Sequence, residues 1–293
     1  MLLVLLEVVL LGVTIHTLHL TYFWTLTSLA LYGIISWYRQ SPLTGYDTFE
    51  GLRSLPIWQW LIPLVRVSYA VADEKDFVKA GRDEKFIFVV LPNPTNTVLI
   101  WGFGFHGNAS ALGNLKLCYL LPAVLFWVPG LREVLLWSGA VSYQNVEDQT
   151  ERVIEMTRLG RNVAYCPNGM QDALYVEEEK NTYGKRPDMT LFKVACERNY
   201  QLVPCICSGE NDERFIFVSN ERIRNIQTWF LRKINYPFPL IFFPDRRGTR
   251  IEITVGSPIQ SRGKTPEQLQ QAFFKGLQAL NNNGADKELI LKD

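Results

Sequence analysis

The sequence predicts an α/β fold in which a largely parallel central sheet is flanked by helices. Short apolar runs of strand length alternate along the chain with stretches of helical periodicity, a pattern typical of parallel sheets. The first forty residues carry almost no charge and stand apart from this alternation. We therefore predict two parts, a membrane-embedded helical hairpin over residues 1–40 and an α/β domain over residues 41–293.

The overall composition excludes some classes of partner. The 293 residues hold 30 Lys plus Arg against 29 Asp plus Glu, so no net field attracts nucleic acid. The 5 cysteines are odd in number and lack metal-ligand spacing, which favours reduced thiols and a body facing the cytosol. Cys205 and Cys207 alternate within an apolar run, and we expect both on one side of a strand rather than at a zinc site.

The N-terminal segment, Met1 to Tyr38, is apolar and contains no lysine or arginine. A single helix of this length would measure about 55 Å, against about 30 Å of bilayer hydrocarbon. The polar stretch from Thr14 to Thr21 predicts a break, and hence two shorter helices that enter the membrane and return. The alternatives are one spanning helix over residues 18–38 after an interfacial helix, and a buried helix pair in a soluble core.

Six apolar runs in the body are predicted strands. In chain order they are 86–91, 97–101, 139–143, 162–166, 202–207 and 250–255. Helical periodicity predicts helices over 146–160 and 190–198, and a last helix with Thr265 as N-cap and Pro266 in its first turn. Two apolar segments are interrupted by prolines and charges. We assign 55–71 to a membrane interface or a core helix, and 112–137 to an apolar channel or a bilayer-contacting surface.

His106 is the only histidine outside the N-terminal segment, and it lies in the glycine-rich stretch VLIWGFGFHGNAS over residues 98–110. An imidazole is suited to general-base chemistry near neutral pH. Backbone N–H groups near Gly104 and Gly107 could hold an oxyanion, because glycine lets the backbone approach a reacting carbonyl closely. The alternative is a structural histidine that caps a loop.

Two acidic clusters follow predicted strands in the same way. Asp172 lies in the turn after residues 162–166, and Glu210 and Asp212 lie after residues 202–207. Ligands collect beyond the carboxyl ends of parallel strands. These carboxylates are therefore the candidates to orient the ring of His106.

Other catalytic classes fit less well. The sequence has no Gly-x-Ser-x-Gly motif, which a serine hydrolase of the α/β type would need, and no phosphate-binding loop ending in Gly-Lys-Ser/Thr. The spacing Gly102-x-Gly104-x-x-Gly107 matches a dinucleotide fingerprint. Trp101 and Phe103 crowd that loop and no helix-forming stretch follows at once, which argues against a nicotinamide site.

Five motifs occur in a fixed order along the body. They are GFGFHG at 102–107, PGLREVLLWSG at 129–139, NGMQDAL at 168–174, LVP followed by SGEND at 202–212, and VGSPI at 255–259. In this order they resemble the type-2 diacylglycerol acyltransferase family, whose relatives include monoacylglycerol and wax-ester acyltransferases. The family carries His-Pro-His-Gly where this chain has Gly104, Phe105, His106 and Gly107, and a glutamate at the position of Asp172.

The resemblance implies an acyltransferase-like fold and a membrane-bound O-acyltransferase. Such an enzyme moves a fatty acyl group from acyl-CoA to a lipid hydroxyl, here that of diacylglycerol, to give triacylglycerol. Monoacylglycerol, fatty alcohol and lysophospholipid remain alternative acceptors, and an inactive lipid-binding relative is a further alternative. The resemblance also implies an endoplasmic reticulum membrane with the body facing the cytosol, or a lipid droplet, and leaves the oligomeric state open.

The resemblance and the residues together assign roles at the site. His106 would be the general base, and Asp172 or Glu210 would orient it or the acceptor. The basic residues Arg132, Arg186 and Lys193 would bind the phosphates of acyl-CoA, which acts as co-substrate. We expect neither a metal nor a bound redox cofactor.

Overall fold

The structure, a computed structural model, describes most of the α/β body and part of the N-terminal segment. The described residues are 16–17, 20–28, 31, 67–71, 77, 84–91, 99, 103–104, 115, 117–128, 130–167, 169, 181–208, 221–234, 236, 251–284 and 288–292. The chain divides into two compact units, Met1–Ser41 and Pro42–Asp293.

In the N-terminal unit, residues 16, 17, 20–28 and 31 are helical. The break expected over 14–21 is therefore not seen in the described part of that stretch. The physical reason is local: the Thr21 hydroxyl donates to the carbonyl of Thr17 at 2.8 Å, which satisfies a polar side chain within the helix. Among the described residues, no helix is both long and apolar enough to cross a membrane.

Nine strands form two sheets in the described part of the chain. They are β1 (Val67–Val71), β2 (Phe86–Leu91), β3 (Leu117–Pro122), β4 (Ala140–Tyr143), β5 (Asn162–Tyr165), β6 (Asn181–Lys185), β7 (Gln201–Ser208), β8 (Ile251–Val255) and β9 (Glu288–Lys292). The main sheet has 7 strands in the order β1-β8-β7-β2-β5-β3-β4, and β6 pairs with β9 in a separate parallel pair.

Five neighbouring strands of the main sheet, from β7 to β4, run parallel to one another. Strand β8 pairs antiparallel with β7, and β1 runs parallel to β8. The largely parallel sheet predicted from the sequence is thus confirmed. Its five parallel strands all end at one edge, where loops leave towards the candidate site residues.

Both faces of the sheet are buried, as expected for a parallel sheet covered by helices. Side chains alternate between the faces, so Phe86 and Phe88 belong to one core cluster and Ile87 and Val89 to the other. We call these the first face, which contains Phe88, and the second face, which contains Val89.

Five α-helices and a short 3₁₀ helix are described in the body. They are α1 (Leu131–Trp137), α2 (Val146–Arg158), α3 (Met189–Arg198), α4 (Glu221–Ile234), α5 (Pro266–Gly284) and the 3₁₀ helix Ala123–Trp127. Leu135 and Leu136 of α1 cover the first face, whereas Met156 of α2, Phe192 of α3 and Phe273 of α5 cover the second.

The helix starts follow from local hydrogen bonds. The side chain of Asn145 accepts from the N–H of Asp148 at 2.8 Å and caps α2. At α5, the hydroxyl of Thr265 accepts from the N–H of Gln268 at 3.3 Å, and the side chain of Gln268 accepts from the N–H of Thr265 at 3.0 Å. This capping box confirms the predicted start of the last helix.

Three of the sequence assignments need correction. The predicted strand 97–101 is wrong in its described part, because Leu99 is helical, as are Phe103 and Gly104. Segment 112–137 contains buried strand β3 and helix α1 rather than a channel lining, because β3 pairs on both sides within the sheet. Segment 55–71 ends in β1, a strand instead of a helix.

Tyr200 lies buried between α2 and β7 and gives a testable pH dependence. Its hydroxyl donates to the carbonyls of Thr157 at 3.2 Å and Arg161 at 3.0 Å, and burial raises its pKa to about 12. The unfolded chain ionises this phenol first, near the ordinary value of about 10. We expect the stability that Tyr200 contributes to be present below about pH 10 and lost as pH rises through about 12.

The comparison to make is denaturant unfolding of the wild type and of Tyr200→Phe across this pH range. The substitution removes the ionisable hydroxyl, so part of the alkaline loss of stability should disappear in the variant. An identical pH dependence of the two proteins would show that Tyr200 does not contribute to it.

Candidate active site

Four predicted site residues, His106, Gly107, Asp172 and Glu210, lie outside the described residues. The structure instead locates the chain segments that lead to them. The third candidate acid, Asp212, also lies outside the described part. The remaining candidates, Gly104 and the three basic residues, are described directly.

The segments that carry the candidate acids follow β5 and β7, the strands on either side of β2. Strand β2 lies between β7 and β5, with Leu91 opposite Ile206 in one pair and Val89 opposite Tyr165 in the other. Ser208 ends β7 two residues before Glu210, and Tyr165 ends β5 seven residues before Asp172. Because the three strands are parallel, both acidic segments start at the carboxyl edge beside the end of β2.

The segment that leads to His106 is anchored to the first face of the sheet. Phe103 is fully buried, and its ring centroid lies 5.6 Å from that of Phe88 in β2. Gly104 is buried beside β3, and a Cβ atom at this position would lie only 2.7 Å from the hydroxyl of Tyr119. The backbone two residues before His106 is therefore held against the core.

Tyr119 is itself held by a buried hydrogen bond. Its hydroxyl lies 2.5 Å from the Oγ atom of Ser138, the residue that follows α1. Ser138 donates to the carbonyl of Leu135 at 2.8 Å, so the proton between the two hydroxyls belongs to Tyr119. Gly104, Tyr119 and Ser138 thus link the His106 segment through β3 to the end of α1.

This arrangement explains one departure from the family pattern. Gly104 stands where the family carries the first histidine of its His-Pro-His-Gly motif. In this chain, Tyr119 occupies the space next to the Cα atom of Gly104, so even a methyl group there requires the tyrosine to move. The loss of that histidine side chain fits the packing of β3 against the loop.

The close approach of Gly104 to Tyr119 predicts a coupled pair of substitutions. We expect Gly104→Ala to lower the free energy of unfolding by about 1–3 kcal/mol, as overpacking of a buried site does. Tyr119→Phe removes the hydroxyl and its hydrogen bond, a loss of about 1 kcal/mol. The double variant should be more stable than the sum of the two losses predicts, because the closest contact, with the hydroxyl at 2.7 Å, is removed while ring carbons at 2.9 and 3.0 Å remain. Denaturant unfolding of all four proteins measures this coupling, and strictly additive losses would contradict the contact.

The turn after β5 is built around Gly169. Its N–H donates to the carbonyl of Cys166 at 3.0 Å, and its φ angle is +54°, in the left-handed region that favours glycine. A Cβ atom here would overlap the hydroxyl of Tyr143 and lie 3.0 Å from the Nε2 atom of Gln149. The segment that carries Asp172 therefore begins tightly packed against β4 and α2, on the second face.

The three candidate CoA-binding residues do not lie together. Arg132 is half-buried in α1 with its Nη1 atom 3.3 Å from Glu133, and burial lowers its pKa. Arg186 is exposed, with its guanidinium carbon 5.5 Å from the ring centroid of Phe274 in α5. Lys193 is exposed on α3, which packs on α5. Arg186 and Lys193 thus share the second face, and Arg132 lies on a helix of the first.

The cysteines are placed as the sequence predicts. All five are free, and Cys205 and Cys207 both belong to the core cluster of the first face. Burial raises the pKa of Cys205, which keeps its thiol protonated. Within the described ranges, no group of three His, Cys, Asp or Glu side chains is positioned to hold a metal ion.

Sequence reasoning missed Tyr119 as a residue of the site. Nothing local marks it, since it reads as one apolar position within a long hydrophobic segment. Ser138 lies in the motif that ends in Ser-Gly, and Gly169 follows Asn168 in a turn sequence. Both residues could therefore have been selected from the sequence. Their contacts depend on the order of β3 and β4 in the sheet, since β3 was not predicted as a strand and the predicted strand 139–143 was given no neighbour.

The sheet, with polar loops leaving its carboxyl edge, is the arrangement of an α/β enzyme. A family model for diacylglycerol acyltransferases matches residues 16–271. The chain therefore belongs to the diacylglycerol acyltransferase family and is an acyltransferase, which confirms the resemblance.

Among solved structures, the 1-acyl-sn-glycerophosphate (LPA) acyltransferase PlsC from Thermotoga maritima matches with a TM-score of 0.43 and 12% sequence identity. The match covers 82% of this chain and 80% of that chain. No curated protein sequence matches this chain.

Proposed function

We propose that this protein transfers a fatty acyl group from acyl-CoA to the free hydroxyl of diacylglycerol, forming triacylglycerol. Membership of the family supports an acyl donor and a lipid acceptor. The main structural support for an active site near this loop is the packing of Phe103 and Gly104 in the core. It supports the assignment of the base to His106, which follows Gly104 by two residues in the sequence.

In the proposed reaction, His106 accepts the proton of the acceptor hydroxyl as its oxygen attacks the thioester carbon of acyl-CoA. A positioned general base contributes about 10²–10⁴-fold to the rate of such a step. The new C–O bond forms before the C–S bond breaks, through a tetrahedral intermediate. Backbone N–H groups at Gly107 would hold its oxyanion.

The C–S bond then breaks and CoA leaves as a thiolate. A free thiol has a pKa of about 8.5, so the thiolate is a far better leaving group than an alkoxide and needs little acid assistance. The proton held by His106 passes to the thiolate, and the base is restored. Proton and electron pairs balance without a metal or redox cofactor.

Positioning residues would come from the two acidic segments. Asp172 and Glu210 follow strands on either side of β2, which supports one of them orienting the ring of His106 and the other the acceptor. Arg186 and Lys193 lie on the same face of the body and suit the phosphates of CoA. Arg132, on the opposite face and beside Glu133, suits that role less well.

We further propose that the protein works at the endoplasmic reticulum membrane, with its body in the cytosol. The apolar segment at residues 1–40 supports this, and diacylglycerol itself resides in a bilayer. Where described, the helix in this segment exposes aromatic side chains, among them Tyr22, Phe23 and Trp24. Aromatic residues of this kind are typical of membrane interfaces.

The test is an acceptor panel with the full chain in detergent or liposomes and labelled acyl-CoA. Diacylglycerol is expected to yield labelled triacylglycerol at a higher rate than monoacylglycerol, fatty alcohol or lysophospholipid yields its ester. A faster reaction with another lipid would identify that lipid as the acceptor, and the proposed acyl-transfer chemistry would stand. Absence of ester from every acceptor, with bound acyl-CoA still detected, would support a lipid-binding relative and reject the enzymatic proposal.

A further inference from the structure

Helix α4 presents an exposed stripe that the site does not use. Ile226 and Trp229 lie on the solvent side of this helix, with 49% and 57% of their surface exposed. At 100° per residue, Arg222 and Lys233 fall on the same narrow arc as these two side chains, and all four are exposed. We call Arg222, Ile226, Trp229 and Lys233 the α4 stripe.

The opposite side of the helix packs into the protein. Gln227 and Leu231 are fully buried there, four residues apart and roughly opposite the α4 stripe. The helix is therefore amphipathic in an unusual sense, because its exposed side carries both apolar and cationic groups.

The charge of α4 points to one kind of partner. Its sequence, ERIRNIQTWFLRKI, contains four basic residues and a single acid, Glu221, at the first position. Arg232 is exposed beside the stripe, next to Lys233 at the end of the helix. An aromatic and an aliphatic side chain between cationic groups match a lipid surface in which anionic headgroups lie above acyl chains.

The two other exposed tryptophans described in the body differ in this respect. Trp127 and Trp137 are exposed near the ends of the 3₁₀ helix and α1. The charges described on α1 are Arg132 and Glu133, which pair with each other at 3.3 Å. Among the described residues, Arg132 is thus the one basic side chain of α1, whereas α4 carries four basic residues in its sequence.

We propose that the α4 stripe docks on a bilayer surface that contains anionic lipid, with Ile226 and Trp229 among the headgroups. This contact would orient the body on the membrane independently of which lipid accepts the acyl group. It goes beyond the proposed reaction, since it assigns a surface outside the loops that lead to His106.

A fluorophore placed beside the stripe tests the contact in the full chain. Asn225, exposed next to the stripe, is replaced by Cys and labelled in a Cys196→Ser background, because the other four cysteines are buried. Vesicles of phosphatidylcholine with phosphatidylserine should shift the emission to the blue, and vesicles of phosphatidylcholine alone should not. A matched label at the exposed Gln278 of α5 should respond to neither.

The cationic contribution is measured with the double variant Arg232→Gln and Lys233→Gln. Each basic residue near an anionic surface contributes about fivefold to binding, so the docking constant should fall about 25-fold. Raised salt should likewise weaken docking of the wild type, because it screens the attraction between the cations and the anionic lipid. The acyl transfer rate in detergent micelles should not change in this variant.

Three outcomes would overturn the docking proposal. One is an equal shift of the 225 label with both kinds of vesicle, and another is no shift with either. The third is a shift that depends on protein concentration without lipid, which would mean that a second copy covers the stripe. Each leaves the acyl transfer assay unaffected, and a failure of that assay leaves the label experiment interpretable.

Discussion

Replacement of His106 by alanine is expected to lower the rate of acyl transfer by about 10²–10⁴-fold, the usual contribution of a general base. Binding of acyl-CoA should change little, since the imidazole acts on the acceptor hydroxyl and not on the CoA phosphates. The loss should therefore appear in kcat, with a small effect on the KM for acyl-CoA. Radiolabelled ester formation under saturating acceptor measures it.

The matched control is His16→Ala, because His16 is exposed in the N-terminal unit and lies far from His106 in sequence. Its rate should equal that of the wild type. Added imidazole should partly restore the His106→Ala variant, since a free base can enter the space that the ring leaves. Full activity in His106→Ala would show that the base lies elsewhere, while the family assignment would stand.

Gly169→Ala is expected to have the largest effect on stability. A left-handed conformation at a residue with a Cβ atom costs about 1–2 kcal/mol. The new atom would also overlap the buried Tyr143 hydroxyl, and overpacking adds about 1–3 kcal/mol. The free energy of unfolding should fall by about 2–5 kcal/mol, as measured by denaturant titration of the full chain.

Gly263→Ala separates the two causes. Gly263 also has a positive φ, +78°, but no heavy atom lies within 4 Å of the position its Cβ would take. Its loss should be the backbone part alone, about 1–2 kcal/mol. Gly169→Ala should in addition lower kcat, because Asp172 follows three residues later, and Gly263→Ala should not. Equal losses in the two variants would mean that Tyr143 moves aside without cost.

Much of the sheet could be predicted from local pattern. The runs that became β2, β5 and β7 are apolar except at their ends, since a parallel strand is buried on both faces. Lys85 and Pro92 flank β2, Arg161 precedes β5 and Gly209 follows β7, so several strand ends are visible in the sequence. Thr265 and Pro266 likewise predicted the start of the last helix. Where burial and capping depend on residues close together in the chain, the sequence is enough to predict the strand or helix.

Other elements could not be separated in the same way. Strand β3 lies inside a hydrophobic stretch that continues through the 3₁₀ helix and α1, so periodicity alone gives no boundary. The run 97–101 has the composition of a strand, yet its described residue Leu99 is helical, because tertiary packing overrides β propensity. The β6–β9 pair joins segments more than one hundred residues apart.

The sequence by itself determined the family and the alternation of strands and helices, and it led to the proposal of His106 as the base. These follow from residue type, order and local spacing. Only the tertiary structure decided that Phe103 and Gly104 rest on Phe88 and Tyr119, and that the acidic segments leave strands on either side of β2. Contacts of this kind join residues distant in the chain, and they exist only once the strands have taken their order in the sheet.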